Sequence, residues 1–165
     1  MKSKKNFLII AAIFAVLIIG ASVIYSQLSL KYATDEDFTD PNTLIYGHNM
    51  KNGSMFKTLH RYKDRKFFEE NRDVYIYQEG KILKYRIFAA YTYDDRHIML
   101  SFDFEDENIF EIYLNSILTN RGNGDNIDVD ISVSTEDRII TLSTCTNNNQ
   151  KQRYLVQAVL ISTLE

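Results

Sequence analysis

Apolar positions change their spacing several times along this 165-residue chain, and each change marks an element. Residues 7–25 form an uncharged run of nineteen residues rich in Ile, Leu, Ala and Val. Residues 43–46 read as a short strand, and Gly47 then permits a sharp turn at His48. From Met55, apolar residues recur at Phe56, Leu59 and Tyr62, a helical spacing with Ser54 as its candidate cap. Phe67 and Phe68 begin a second short turn of helix. Residues 74–77 and 82–93 are two strands joined around Glu79-Gly80, a hairpin signal. Residues 97–102 suit a further strand or an irregular segment. In residues 106–118 one helical face collects Ile109, Phe110, Tyr113, Leu114, Ile117 and Leu118. Residues 127–133 alternate as a half-buried strand should, and 138–145 and 153–161 supply the last two strands. Polar, Gly- or Asn-rich loops fill 120–126 and 146–152. The sum is a mainly β domain with two helices, consistent with a small barrel that is closed or partly incomplete.

The first apolar run is long enough for a membrane-spanning helix, which needs about 20 residues. A cleaved signal has a shorter apolar core and a small-residue cleavage site, for which Gly20-Ala21-Ser22 is a weak candidate. An uncleaved anchor over residues 1–26 is therefore favoured. Lys2, Lys4 and Lys5 precede the run and keep the N-terminus cytoplasmic, which places the body outside the cell in a single-pass arrangement. Residues 27–42 then read as a polar linker and 43–165 as the folded domain.

Charge narrows the partners. Three of the 19 basic residues precede the apolar run, so the body carries 16 basic against 22 acidic residues. No basic face is clustered as nucleic-acid binding requires. One Cys and three scattered His lack metal-ligand spacing, and no Gly-rich phosphate loop is present. The acidic run Asp103, Glu105, Asp106, Glu107 lies at a helix start, where it more simply complements the helix dipole, with calcium binding as the lesser alternative. No cofactor or metal is implied.

The body holds a single cysteine, Cys145, at the end of a strand. Outside the cytoplasm cysteines normally pair, and this one has no partner in its chain. It is a buried inert thiol, an intermolecular bridge or a nucleophile. A nucleophile needs a base and a stabiliser for the oxyanion that forms on attack. His48, after a strand and Gly47, is placed to aim into a groove. His60 sits on a predicted helix among Lys57, Arg61 and Lys63, a solvated face. His97 lies beside Asp94, Asp95 and Arg96, in a loop. Arg153 opens the strand after Cys145, and if the two strands are neighbours it returns beside the thiol. There it either caps a strand end or supplies a permanent cation with several donors.

Three segments together resemble class B sortases. Leu44-Ile45-Tyr46-Gly47-His48-Asn49-Met50, followed by Asn52-Gly53-Ser54-Met55-Phe56, resembles the family's histidine segment. Ile140-Thr141-Leu142-Ser143-Thr144-Cys145 resembles its T-L-x-T-C signature, and Arg153-Tyr154-Leu155-Val156-Gln157-Ala158 its arginine strand. The helix at 106–118 is similar to the one that distinguishes class B. The resemblance runs from about residue 32 to the C-terminus. It implies a sortase-like β-barrel and a membrane-anchored cysteine transpeptidase. Cys145 would cleave a sorting signal after Thr through an acyl-thioester, His48 would move protons, and Arg153 would hold the substrate and oxyanion. Ser143, Thr144 and Asn49 would contact substrate. The partners implied are a surface protein bearing a sorting signal and an amine from a peptidoglycan precursor or a pilin. The family carries further strands between anchor and histidine segment, a space filled here by residues 27–41. A shortened barrel is therefore expected, and with it an alternative reading as a weak or inactive module that binds sorting signals.

Overall fold

Near-continuous buried runs on the longest strands give this protein a sheet with two buried faces. The computed structural model describes residues 37–119, 122, 124–146, 149 and 151–165. All of them belong to the unit Thr34–Glu165. The expected anchor at 1–26 lies outside the described residues, as does the linker up to residue 36. Among the described residues no helix is long and apolar enough to cross a membrane.

Among the described residues six strands form one sheet: β1 (Asn42–Tyr46), β2 (Asp73–Gln78), β3 (Lys81–Asp94), β4 (Asn126–Ile127), β5 (Ile139–Cys145) and β6 (Gln152–Leu164). Their order is β1-β5-β6-β3-β2, with β4 on β3. β1 runs parallel to β5, and the other pairs are antiparallel. The β3–β6 ladder shifts register between Lys84 and Tyr85 and again between Ile87 and Ala89. Such bulges bend a strand and increase its twist, which curls the sheet into a half-barrel. The predicted hairpin is present, and Gly80 takes the positive φ of 77° that its turn requires.

A 3-10 helix, η1 (Phe56–Lys63), and α1 (Arg65–Glu70) cover one face. Leu59 and Phe68 there pack with Leu83, Tyr85, Ile87, Ile140, Leu142, Tyr154 and Val156. The helix predicted at 106–118 is α3 (Glu107–Leu118), and Asp106 caps it by accepting from the Asn108 and Ile109 amides. Its Phe110, Tyr113, Leu114 and Ile117 pack on the opposite face with Phe88, Tyr91, Ile139 and Leu155. The face read from periodicity is the one buried.

Several expectations change. Residues 97–102 hold a one-turn helix, α2 (Ile98–Ser101), because the Leu100 and Ser101 amides both donate to the His97 carbonyl. A three-residue apolar run, Ile98-Met99-Leu100, does not distinguish strand from helix by periodicity. Two helices become four short helical segments among the described residues. Ser54 does not cap η1; its amide and hydroxyl both turn to Asn52 Oδ1, and Met55 holds the cap position with φ 55°. The strand predicted at 127–133 stops at Ile127. Asp128 is drawn inward to pair with Arg72, its amide bonds Phe88 O, and its carboxylate turns the chain by accepting from the Asp130 amide. Val129 is left 68 % exposed, the opposite of a core-facing position.

Candidate active site

Cys145 ends β5 and pairs across the sheet with Arg153 near the start of β6. Side chains alternate along strands, so Ile139, Thr141, Ser143 and Cys145 share the α3 face of β5, opposite Arg153, Leu155, Gln157 and Val159. Cys145 is an exposed free thiol, not a buried inert one. His48 arrives from β1, whose parallel pairing with β5 ends at Tyr46 opposite Ser143. The ladder is carried one rung further by Gly47 N–H, which donates to Ser143 O at 3.0 Å.

Gly47 is required for a reason other than the turn expected. Any Cβ there would strike the Phe56 ring. Only glycine lets η1 close over the histidine segment. Phe56 N–H donates to His48 O at 3.1 Å, and Asn49 bridges Met55, so the backbone of the histidine segment is tied down.

Tyr46, Gly47, His48, Ser143, Thr144, Cys145 and Arg153 line one groove. A second hollow shares Tyr46, Ser143 and Arg153 and continues along Tyr93, Asp95, Arg96, His97, Ile98 and Leu155. His97 is thus not a bystander in a loop: its ring stands 5.8 Å from that of Tyr46 on the groove wall. Burial raises the Tyr46 phenol above its ordinary 10.0, and the nearby Arg153 charge partly opposes this. Arg153 also donates to Gln152 O at 3.2 Å.

The other expected residues fall differently. Ser143 and Thr144 touch the groove, but both are nearly buried, and the Thr144 hydroxyl has no hydrogen-bond partner. Asn49 turns its amide to the backbone: Nδ2 donates to Cys145 O at 2.9 Å. His60, expected on a solvated face, is half-buried against the same carbonyl, with Nε2 3.1 Å from Cys145 O and 3.1 Å from Asn49 Nδ2. Its ring lies 5.3 Å from that of Tyr154. Burial lowers its pKa below the ordinary 6.5, the bond to Cys145 O opposes this, and Lys63 and Lys57 lower it further. Sequence reasoning missed this residue. The available signal was that η1 must press Phe56 onto Gly47, which brings the next turn of the helix over the end of β5. Among the described residues no group of three or more His, Cys, Asp or Glu is placed to hold a metal.

The sortase domain family matches residues 25–161. Sortase B of Listeria monocytogenes is 35% identical over 134 residues, covering 79% of this chain and 52% of that protein. Sortase B of Staphylococcus aureus is 32% identical over 124 residues, covering 73% of this chain and 48% of that protein. The chain spans about half the length of these curated relatives. Among solved structures, Clostridium perfringens sortase B superposes with a TM-score of 0.66 at 29% identity, covering 79% of this chain and 70% of that one. A Staphylococcus aureus sortase B–substrate complex gives 0.66 at 26% identity, covering 79% and 60%. On its sequence and its fold, the chain belongs to the sortase family and, within it, to class B.

Proposed function

We propose that this protein is a membrane-anchored cysteine transpeptidase in which Cys145, His48 and Arg153 act together. The observation that carries this reading is the single groove lined by all three. The Cys145 thiol passes its proton to His48, the sulfur adds to the carbonyl carbon of a Thr in a sorting signal, and the C=O π pair moves onto oxygen. Arg153 and backbone N–H groups near Cys145 meet that oxyanion. As the carbonyl reforms, the peptide C–N bond breaks and His48 gives its proton to the leaving amine. The product is an acyl-thioester. An incoming amine then attacks the thioester carbon and loses its proton to His48, and the sulfur departs. Ser143 and Thr144 lie along the groove, where substrate backbone passes. Asn49 serves the nucleophile's strand at least as directly as the substrate, since its amide is bonded to Cys145 O.

The substrate class is a surface protein with a C-terminal sorting signal, and the acceptor is an amine of a peptidoglycan precursor or a pilin. A relative, Staphylococcus aureus sortase B, has been solved as a substrate complex. Residues 7–25 anchor the chain with its N-terminus inside, on the strength of their length and the three lysines before them.

The test uses the full chain in detergent micelles with a fluorogenic Asn-Pro-x-Thr-type peptide and a small amine. Cleavage after Thr, with the amine joined to the product, is expected, and Cys145→Ala should lower turnover by roughly 10³-fold or more. Wild-type turnover by that variant would overturn the mechanism. Peptide binding without any turnover would establish the inactive binding module instead. In the producing cell, release of the chain from membranes by high salt alone would contradict the anchor.

A further inference from the structure

The carbonyls of β5 that face β1 form a row, and β1 leaves before the row ends. Ser143 O is the last to receive a main-chain donor from the β1 side, Gly47 N–H at 3.0 Å. Two residues on, Cys145 O receives side chains instead: Asn49 Nδ2 at 2.9 Å and His60 Nε2 at 3.1 Å. On the other side of the same peptide, Thr146 N–H donates to Gln152 O at 3.3 Å. The peptide that follows the thiol is therefore held from both edges. Without the side-chain bonds, Cys145 would be an exposed residue at the frayed end of a ladder, opposite Arg153.

We propose that His60 is a positioning residue for Cys145: with Asn49 it clamps the Cys145 carbonyl and keeps the nucleophile in register with Arg153. The inference rests on the transpeptidase reading for its effect on turnover, and on geometry alone for the clamp. His60 packs on the η1 side of the sheet, its ring tilted against that of Tyr154, which belongs to that side. The neutral ring serves both neighbours. With the proton on Nε2 it donates to Cys145 O; with the proton on Nδ1 its Nε2 accepts from Asn49, which still reaches the carbonyl.

The groups facing the ring set its charge. Lys57 and Lys63 come from its own helix, and Lys63 Nζ also stands 5.1 Å from the Tyr154 ring centre. β6 contributes the Tyr154 ring, β5 the Cys145 carbonyl, and the loop after β1 the Asn49 amide. No carboxylate is among these neighbours. The ring therefore stays neutral at neutral pH, in keeping with its lowered pKa. When acid protonates it, Nε2 can no longer accept from Asn49, and a cation is added beside two others.

The experiment compares the full chain with His60→Ala and His60→Gln, reading kcat, KM, thermal midpoint and amide exchange. His60→Ala should lower kcat on the order of 10- to 100-fold with KM within about twofold, the size expected when a reacting group is misplaced. His60→Gln, whose amide can still donate to Cys145 O, should recover most of that loss. Exchange at Thr146 N–H should speed up roughly tenfold in His60→Ala, while Leu142 and Val156 amides keep their rates. Unchanged kcat in His60→Ala, a loss confined to KM, or faster exchange throughout the sheet would overturn the proposal. If the wild-type chain turns nothing over, the transpeptidase reading has failed, and the exchange pattern alone then decides the clamp.

Discussion

Two polar clusters sit on one face of β5 and β6, four residues apart, and they are built in opposite ways. At the inner one, Thr141 and Gln157 are fully buried. Gln157 Nε2 donates to Tyr113 OH at 2.5 Å and to Thr141 Oγ1 at 2.9 Å, Tyr91 OH donates to Gln157 Oε1 at 3.4 Å, and Thr141 Oγ1 donates to Asn42 Oδ1 at 2.8 Å. These groups bind one another and join β1, β3, β5, β6 and α3. At the outer cluster, Cys145 and Arg153 stand at the end of the same two strands and open on the groove with His48. The difference is cover. α3 lays Tyr113 over the inner cluster, whereas the groove begins beyond it. Buried polar groups must find partners in the protein, while exposed ones stay available to a substrate. Changes at the inner cluster should therefore show in stability, and changes at the outer one in chemistry.

The largest effect on stability is expected for Gln157→Ala. It opens a cavity and strips partners from three hydroxyl groups, at a cost of roughly 3–5 kcal/mol. Denaturant unfolding measures this, and a change below about 1 kcal/mol would show that the inner network is not what joins the strands. A smaller effect is expected for Tyr113→Phe, which leaves one Gln157 N–H without its acceptor and should cost about 1–2 kcal/mol. It also has a signature in pH. Burial pushes the Tyr113 phenol up to about 12, against an ordinary 10.0. Folding thus favours the protonated phenol. Its contribution is complete below pH 10 and is lost as pH rises from 10 to about 12. Alkaline melts should fall more gently with pH in the variant. Equal slopes would mean that Tyr113 ionises as freely folded as unfolded.

The two clusters were unequally legible in the sequence. At the outer one, the strand before Cys145 and the short return to Arg153 are local patterns, whereas His48 was joined to them only by the resemblance to class B sortases. Helix α3 and the Gly80 hairpin were legible for the same reason, since periodicity and turn chemistry act over a few residues. The inner cluster was not legible, because Thr141 and Gln157 meet only through the β5–β6 register, and Tyr113 joins them only when α3 docks. His60 failed in a similar way. Its neighbours Lys57, Arg61 and Lys63 mark a solvated face, yet a 3-10 helix turns faster than an α-helix and lays His60 on the end of β5. The strand expected through Val133 was lost to a distant residue, Arg72, which holds Asp128.

The central claim is that the uncovered end of β5 presents Cys145 as a nucleophile in a working groove. Its most direct test is the intact mass of the full chain after mixing with an Asn-Pro-x-Thr-type peptide and no acceptor amine. The prediction is a hydroxylamine-labile adduct, with the mass of the peptide up to Thr, mapped to Cys145 and absent from Cys145→Ala. Turnover of the peptide with no adduct on Cys145, or an adduct that persists in Cys145→Ala, would contradict it.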